Sequence, residues 1–275
     1  MPSQAEAKQR KILNLNRENY HSIEADRDYL SVSQFKQFMT CEASAVAHLS
    51  GEYVRHDTNA LTVGSYVHTA FEGAEAHQKF IDDNSESIFK KRGSGKYADF
   101  EQADQMIEAI KRQKLAMFAL EGESEQIFSV HLFGADWKIR TDVINHQTHR
   151  FADIKTCENI NKRFWDDKYD GWCSFVEHWG YVLQMAVYRR ALKEITGDEY
   201  TPYIVAVSKE SPPNVAVINF DPSRFEFELK YVENHMERIL KLKSGEEEPI
   251  ECGKCDYCRR TKTITKVIEV GQLIY

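Results

Sequence analysis

Apolar residues recur along this chain with two different periods, and the change from one to the other divides it. Over SVSQFKQFMTCEASAVAHLS (31–50) they fall at Phe35, Phe38, Met39, Ala45 and Leu49, one helical face, with Ser31 or Ser33 as N-cap and Gly51 as the stop. ALTVGSYVHTAFEGAEAHQKFI predicts a second helix over about 60–81. NSESIFKKRGSGKYADF (84–100) reads as a basic loop, and a third helix follows over about 101–120. Beyond it the period shortens to two. EQIFSVHLF, WKIRTDVIN and RFADIKT read as three strands, parted by GAD (134–136) and NHQTH (145–149). Helical spacing returns in SFVEHWGYVLQMAVYRRALKEI (174–195), ahead of two more strands, YIVAVS (203–208) and NVAVINF (214–220). Asp221-Pro222 then opens a helix that reaches about Lys243, with Gly245 beyond.

Short turns between the first three strands imply a meander, and the long helix before YIVAVS implies a crossover. The expected fold is therefore α/β, a mixed central sheet with flanking helices. It occupies residues 31–245. Residues 1–30 read as a polar surface arm, and 246–275 as a cysteine-containing tail packing on the same domain.

The strand FADIKT raises a chemical question. Alternation puts Phe151, Asp153 and Lys155 on one side, so a carboxylate and an ammonium stand together in an otherwise apolar run. In the preceding strand Asp142 shares a face with Arg140 and Ile144, and a hairpin at NHQTH lets Asp142 approach Asp153. Two close carboxylates are stabilised by a hard divalent cation, and a neighbouring lysine serves a bound water or a developing oxyanion. That is an arrangement for phosphodiester hydrolysis; the plain alternative is an ion pair on an edge strand. His68 in GSYVH, with Glu72 one turn on, is a candidate third ligand or a satisfied core histidine. Tyr181, Gln184 and Tyr188 line one face of an apolar helix, where a glutamine needs a partner.

Charge and composition narrow this only slightly. The chain has 275 residues, a net charge of −7 and a pI near 5.8, so it lacks the basic surface of simple DNA binders. A metal-dependent enzyme can be acidic overall and keep a locally basic groove. No apolar run approaches the roughly 20 residues that span a bilayer, and the first residues lack the apolar core of a secretory signal. The expected location is cytoplasmic. Of six cysteines, Cys252, Cys255 and Cys258 form C-x2-C-x2-C, and Cys41 lies in the first helix. Four thiolates suffice for a tetrahedral zinc or an iron–sulfur cluster; unliganded thiols are the third option. Cys157 and Cys173 read as structural.

Taken in order, GSYVH, IRTD, ADIKT and YVLQMAVY resemble the PD-(D/E)XK nuclease superfamily and, within it, the RecE-like phage exonucleases. The resemblance implies a restriction-endonuclease-like core. It implies His68, Asp142, Asp153 and the carbonyl of Ile154 as ligands of Mg²⁺ or Mn²⁺, Lys155 as the catalytic lysine, and Gln184 and Tyr188 as a further catalytic motif. Glu125 corresponds to an acid often found on the first strand, and Thr141 replaces the usual proline before Asp142. The expected activity is 5′→3′ resection of duplex DNA ends in phage-type recombination, with a single-strand annealing protein as partner and a ring-like oligomer as assembly. The cysteine layout is similar to nucleases of the AddB type and of CRISPR adaptation, which carry a [4Fe–4S] cluster, although the last spacing here is shorter. That likeness suggests a rival reading, a nuclease that trims or nicks single strands; a third, from another class, is a catalytically silent, metal-stabilised binding or scaffold protein.

Overall fold

The computed structural model describes residues 13–54 and 58–273. Among them the strands are β1 (Glu123–Leu132), β2 (Ala135–Asn145), β3 (Arg150–Cys157), β4 (Arg163–Asp166), β5 (Gly171–Ser174), β6 (Thr201–Ser208) and β7 (Val215–Ile218). Five of them form one sheet in the order β1-β2-β3-β6-β7. β1, β2 and β3 pair antiparallel as the expected meander. β3 and β6 pair parallel, joined through the Tyr181–Thr196 helix, and β7 returns antiparallel on β6. The sheet is mixed, as its sequence pattern implies.

Alternation along β6 sorts the core into two layers. Ile204 and Ala206 pack with Phe151, Trp137 and the helices Val32–Thr40, Tyr181–Thr196 and Pro222–Ser244. Val205 and Val207 pack on the other face with Ala152, Ile154 and the helices Asn59–Glu72 and Ala98–Lys111. The helix after β7 ends as expected: Asp221 caps it, Pro222 occupies its first turn, and Gly245 stops it at φ 77°.

Several expected helices are broken, each at a residue with a local reason. The helix over 31–50 is two, because Cys41 is extended (φ −166°, ψ 109°) and its thiol accepts the Ser44 N–H to cap the second. Gly73, at φ 137°, divides the helix expected over 60–81. The third helix starts earlier, at Ala98, and is interrupted after Lys111. The crossover helix breaks at Gly180, where φ is 65° and an added Cβ would meet Lys36 Cδ at 2.9 Å. The expected loop over 84–100 contains one helical turn, Ser85–Ile88, with Ile88 buried. The β4–β5 hairpin has no counterpart in the sequence reading, since four-residue strands are too short to establish a period.

The expected surface arm is corrected for its described part; residues 1–12 lie outside the described residues. Tyr20, Ala25, Tyr29 and Leu30 are buried. The Leu30 N–H donates to the Asp136 carbonyl at 2.7 Å and the Leu30 carbonyl accepts from the Lys138 N–H at 2.8 Å. The Lys138 ammonium, 2% exposed, pairs with Asp26 Oδ1 at 2.7 Å and donates to the Tyr20 carbonyl. A buried cation thus fastens the segment to β2. Among the described residues no helix is long and apolar enough to cross a membrane.

Removing Asp26 leaves Lys138 as a buried charge without its counter-ion. Asp26→Ala is expected to lower unfolding free energy by about 2–3 kcal/mol, less than the ~3–5 of a fully enclosed pair because Asp26 keeps some contact with water. Urea denaturation measures it, and a loss below about 0.5 kcal/mol would contradict the docking of this segment.

Candidate active site

Three acids on three successive strands face one another. Pairs Ser124↔Val143 and Gln126↔Thr141 set Glu125 opposite Asp142, and continuing the Val143↔Ala152 register sets Asp142 opposite Asp153. Opposed residues of an antiparallel pair project to the same face. The β2–β3 ladder stops at Val143↔Ala152, and beyond it the Ile154 N–H donates to Asp142 Oδ2 at 2.7 Å. Glu125 has φ 56°, a left-handed conformation that costs a side-chain-bearing residue energy and here serves to aim its carboxylate.

Positive and polar groups close around these acids. His68 Nε2 lies 2.5 Å from Asp142 Oδ2, and its Nδ1 lies 3.8 Å from Glu72 Oε1 and 3.9 Å from Glu125 Oε1. Arg140 Nε pairs with Glu125 Oε2 at 3.0 Å. Gln184 Nε2 donates to Asp153 Oδ1 at 2.7 Å, and the Lys155 ammonium pairs with Asp153 Oδ2. The glutamine in the apolar helix therefore has its partner, and the partner is the D-x-K aspartate. Lys155 and Lys36 both stand over the Tyr181 ring, at 4.7 and 5.4 Å from its centre, and Lys36 also donates to the Trp179 carbonyl at 3.0 Å. Tyr188 is 7% exposed and packs on Phe151, so it belongs to the wall of the site and not to its rim.

These contacts decide the charge states. Burial opposes a charged His68, but the Asp142 charge and hydrogen bond, with Glu72 and Asp153, outweigh it and raise its pKa to about 10. Burial likewise opposes a charged Asp142; His68, Lys155 and the Ile154 N–H outweigh it and hold the carboxyl below its usual range. For Asp153 burial wins, reinforced by the Asp142 charge, and its pKa rises despite Lys155. Burial, with Glu72 and Asp142 nearby, lifts Glu125 to about 7 against the pull of Arg140. Burial works against a charged Lys155, but the two aspartates overcome it and keep it an ammonium. Burial, then the charge of Lys155, lowers Lys36 to about 8.

The donor set fits a divalent cation. Donor atoms of His68, Glu125 and Asp142 all lie within 4.8 Å of one another. Glu125 Oε1 is buried with no hydrogen-bond partner, an acceptor that a cation would satisfy. Carboxylate oxygens with one imidazole suit Mn²⁺ or Mg²⁺ better than a thiophilic ion. Asp153 falls outside this three-donor group, its oxygens being engaged by Gln184 and Lys155. His68, Asp142, Asp153, Ile154, Lys155 and Gln184 open onto one cleft of about 1220 Å³. Lys36 also lines the cleft and has no signature in the sequence; the only hint is a glycine at position 180, which leaves room for it. Elsewhere, Cys41 Sγ stands 3.5 Å from Cys258 Sγ, and Cys252 Sγ stands 3.9 Å from the same atom.

A mixed sheet of this order, with acids and a lysine at the splayed ends of β2 and β3, is a PD-(D/E)XK nuclease core. The chain belongs to the family described as PDDEXK-like domain of unknown function (DUF3799), whose profile matches residues 31–261. A crystal structure of a "Putative exonuclease" from Eubacterium rectale at 2.19 Å resolution is 34% identical, covers 95% of this chain and 98% of its own, and superposes with a TM-score of 0.89. A second solved structure, SSO0001, is 14% identical, covers 82% of this chain and 91% of its own, and has a TM-score of 0.30. No curated protein matches significantly.

The raised His68 pKa has a consequence for stability. In chelator-treated protein the His68–Asp142 pair contributes fully below about pH 6.5, the ordinary imidazole value, and loses its contribution as pH rises towards about 10. Denaturation midpoints of the wild type and His68→Gln should therefore differ most near pH 6 and converge on approach to pH 10. A difference independent of pH would contradict the ion pair.

Proposed function

We propose that this protein is a Mg²⁺- or Mn²⁺-dependent deoxyribonuclease that hydrolyses phosphodiester bonds from the ends of duplex DNA. One observation carries the reading: carboxylates of neighbouring strands, Asp142 and Asp153, meet His68 and Lys155 in the lining of one cleft. The exonuclease description of the Eubacterium rectale relative supports it. So does the size of the cleft, which exceeds the roughly 300–1000 Å³ of a small-molecule pocket and suits a strand of polynucleotide.

His68, Glu125 and Asp142 would hold the cation, with Asp153 and the Ile154 carbonyl, the further ligands that the family resemblance implies, beside them. The cation, when bound, would supply Lewis acidity towards the phosphoryl oxygens and lower the pKa of a coordinated water. Lys155, held as an ammonium by the charges of Asp153 and Asp142, is placed to orient the water and stabilise developing negative charge; once a cation shares those charges it can also lose its own proton and take the water's. Gln184 fixes the Asp153 carboxylate, and Tyr188 packs behind the β3 strand at Phe151. Lys36 adds a second ammonium 5.4 Å from the ring that also carries Lys155, where the next phosphate of the strand would pass. The reading extends to 5′→3′ resection beside a single-strand annealing protein, within a ring-like oligomer that keeps DNA threaded between cuts.

A linear duplex labelled at either 5′ or 3′ ends and a closed circle of the same sequence separate the alternatives. With Mg²⁺ or Mn²⁺ the linear DNA should lose its 5′ label first, the circle should persist, and chelator should stop the reaction. Lys155→Ala should slow it at least ~100-fold while melting cooperatively. Cleavage of the circle would favour the nicking nuclease, and absence of any metal-dependent cleavage would favour the silent binding protein.

A further inference from the structure

The four-cysteine group is a second site, since none of its members lines the cleft. Each thiol is placed by its own backbone. Cys41 sits in the extended break between two helices, and its sulfur accepts the Ser44 N–H at 3.4 Å. In Cys252-Gly-Lys-Cys, Gly253 adopts φ 71°, and the Lys254 and Cys255 N–H groups donate to Cys252 Sγ at 3.4 and 3.3 Å. Cys255 caps the Asp256–Thr261 turn of helix by accepting the Cys258 N–H at 3.5 Å. Such amide donors stabilise thiolate, the form that binds metal.

Apart from a Tyr53–Tyr257 edge-to-face contact at 5.4 Å, little apolar packing holds this region. The buried residues there are Cys41, Ala43 and Cys258, with Cys252, Cys255 and Tyr257 packed against them. A cluster made mostly of thiols buries too little carbon to fix a tail. Polar contacts bring the chain alongside: Ile250 exchanges hydrogen bonds with Glu42 and Ala43, and Arg238 pairs with Glu42. They stop short of the cysteines. A ligand common to the four sulfurs would join the cysteines themselves.

The spacing of the sulfurs selects among ligands. One tetrahedral ion with bonds of about 2.3 Å sets its sulfurs about 3.8 Å apart. The observed 3.5 and 3.9 Å bracket that value, and all four donor atoms lie within 4.8 Å of one another. A [4Fe–4S] cluster attaches each thiolate to a different iron, which spreads the sulfurs by the iron–iron separation as well as by the bonds. We propose that Cys41, Cys252, Cys255 and Cys258 hold a single tetrahedral Zn²⁺ that ties the tail to the first helix pair, in place of the [4Fe–4S] cluster of similarly laid-out nucleases. Four thiolates around Zn²⁺ leave a double negative charge, and Lys254 and Arg260 stand in the same segment to offset it, while Arg259 pairs with Asp256. The proposal does not depend on the nuclease reading.

The test is metal analysis of the full chain purified anaerobically without added metal. One zinc per chain, no iron or acid-labile sulfide, no visible absorption and a zinc X-ray absorption shell of four sulfurs at about 2.3 Å are expected. Cys255→Ser should lose at least ten-fold in zinc content and melt about 5–10 °C lower. Cys173→Ser should keep its zinc; Cys173 is the control because it lies with Asp166 and His178 in a separate group of donor atoms. Should Cys255→Ser fail to fold, the wild-type metal content and sulfur shell still decide. Iron with sulfide, four freely titrating thiols without metal, a shell containing nitrogen or oxygen, or zinc lost with Cys173 would each overturn the proposal.

Discussion

Three carboxylates opposed across β1, β2 and β3 are what the rest of this molecule must accommodate. Placed in register on one face of a buried sheet, Glu125, Asp142 and Asp153 repel one another and lose water together. The structure answers with one cationic or polar partner from each neighbouring element. His68 comes from the helix on one face, Gln184 from the crossover helix on the other, and Arg140 and Lys155 from the strands themselves. The site therefore sits where both layers of helices reach the sheet, and neither layer alone could build it.

The same arrangement divides the labour among the acids. Asp142 is held ionised by His68 and by a backbone N–H freed where the ladder ends, which suits it to hold a cation. Asp153 is held between an amide and an ammonium, which fixes the position of Lys155. Glu125 keeps one oxygen for Arg140 and has the other without a hydrogen bond, aimed among the donors of His68 and Asp142. A divalent cation entering this set would take over the electrostatic role that the His68 proton plays towards Asp142.

Sequence pattern carried the parts of this account that are local. Period-two runs marked β1 to β3, and the Asp-Pro and Gly pair bounded the 222–244 helix, because alternation and capping are encoded within a few residues. The D-x-K strand and a glutamine among apolar neighbours pointed to the same place before their contact was visible. What was not legible is non-local or conformational. The Asp26–Lys138 pair links segments over a hundred residues apart, so residues 13–30 read as loose polar chain. The breaks at Cys41 and Gly180 depend on what the chain meets there, a thiol cage and Lys36. The placement of Glu125 rests on a positive φ that composition does not announce.

The central claim is that Asp142 and His68, beside Asp153 and Lys155, form a seat for a divalent cation. Crystals soaked in Mn²⁺ and measured at the manganese absorption edge test it most directly. The account predicts one strong anomalous peak in direct contact with the Asp142 carboxylate and the His68 imidazole. Saturating Mn²⁺ that leaves the His68–Asp142 hydrogen bond in place, with no peak in the cleft, would contradict it.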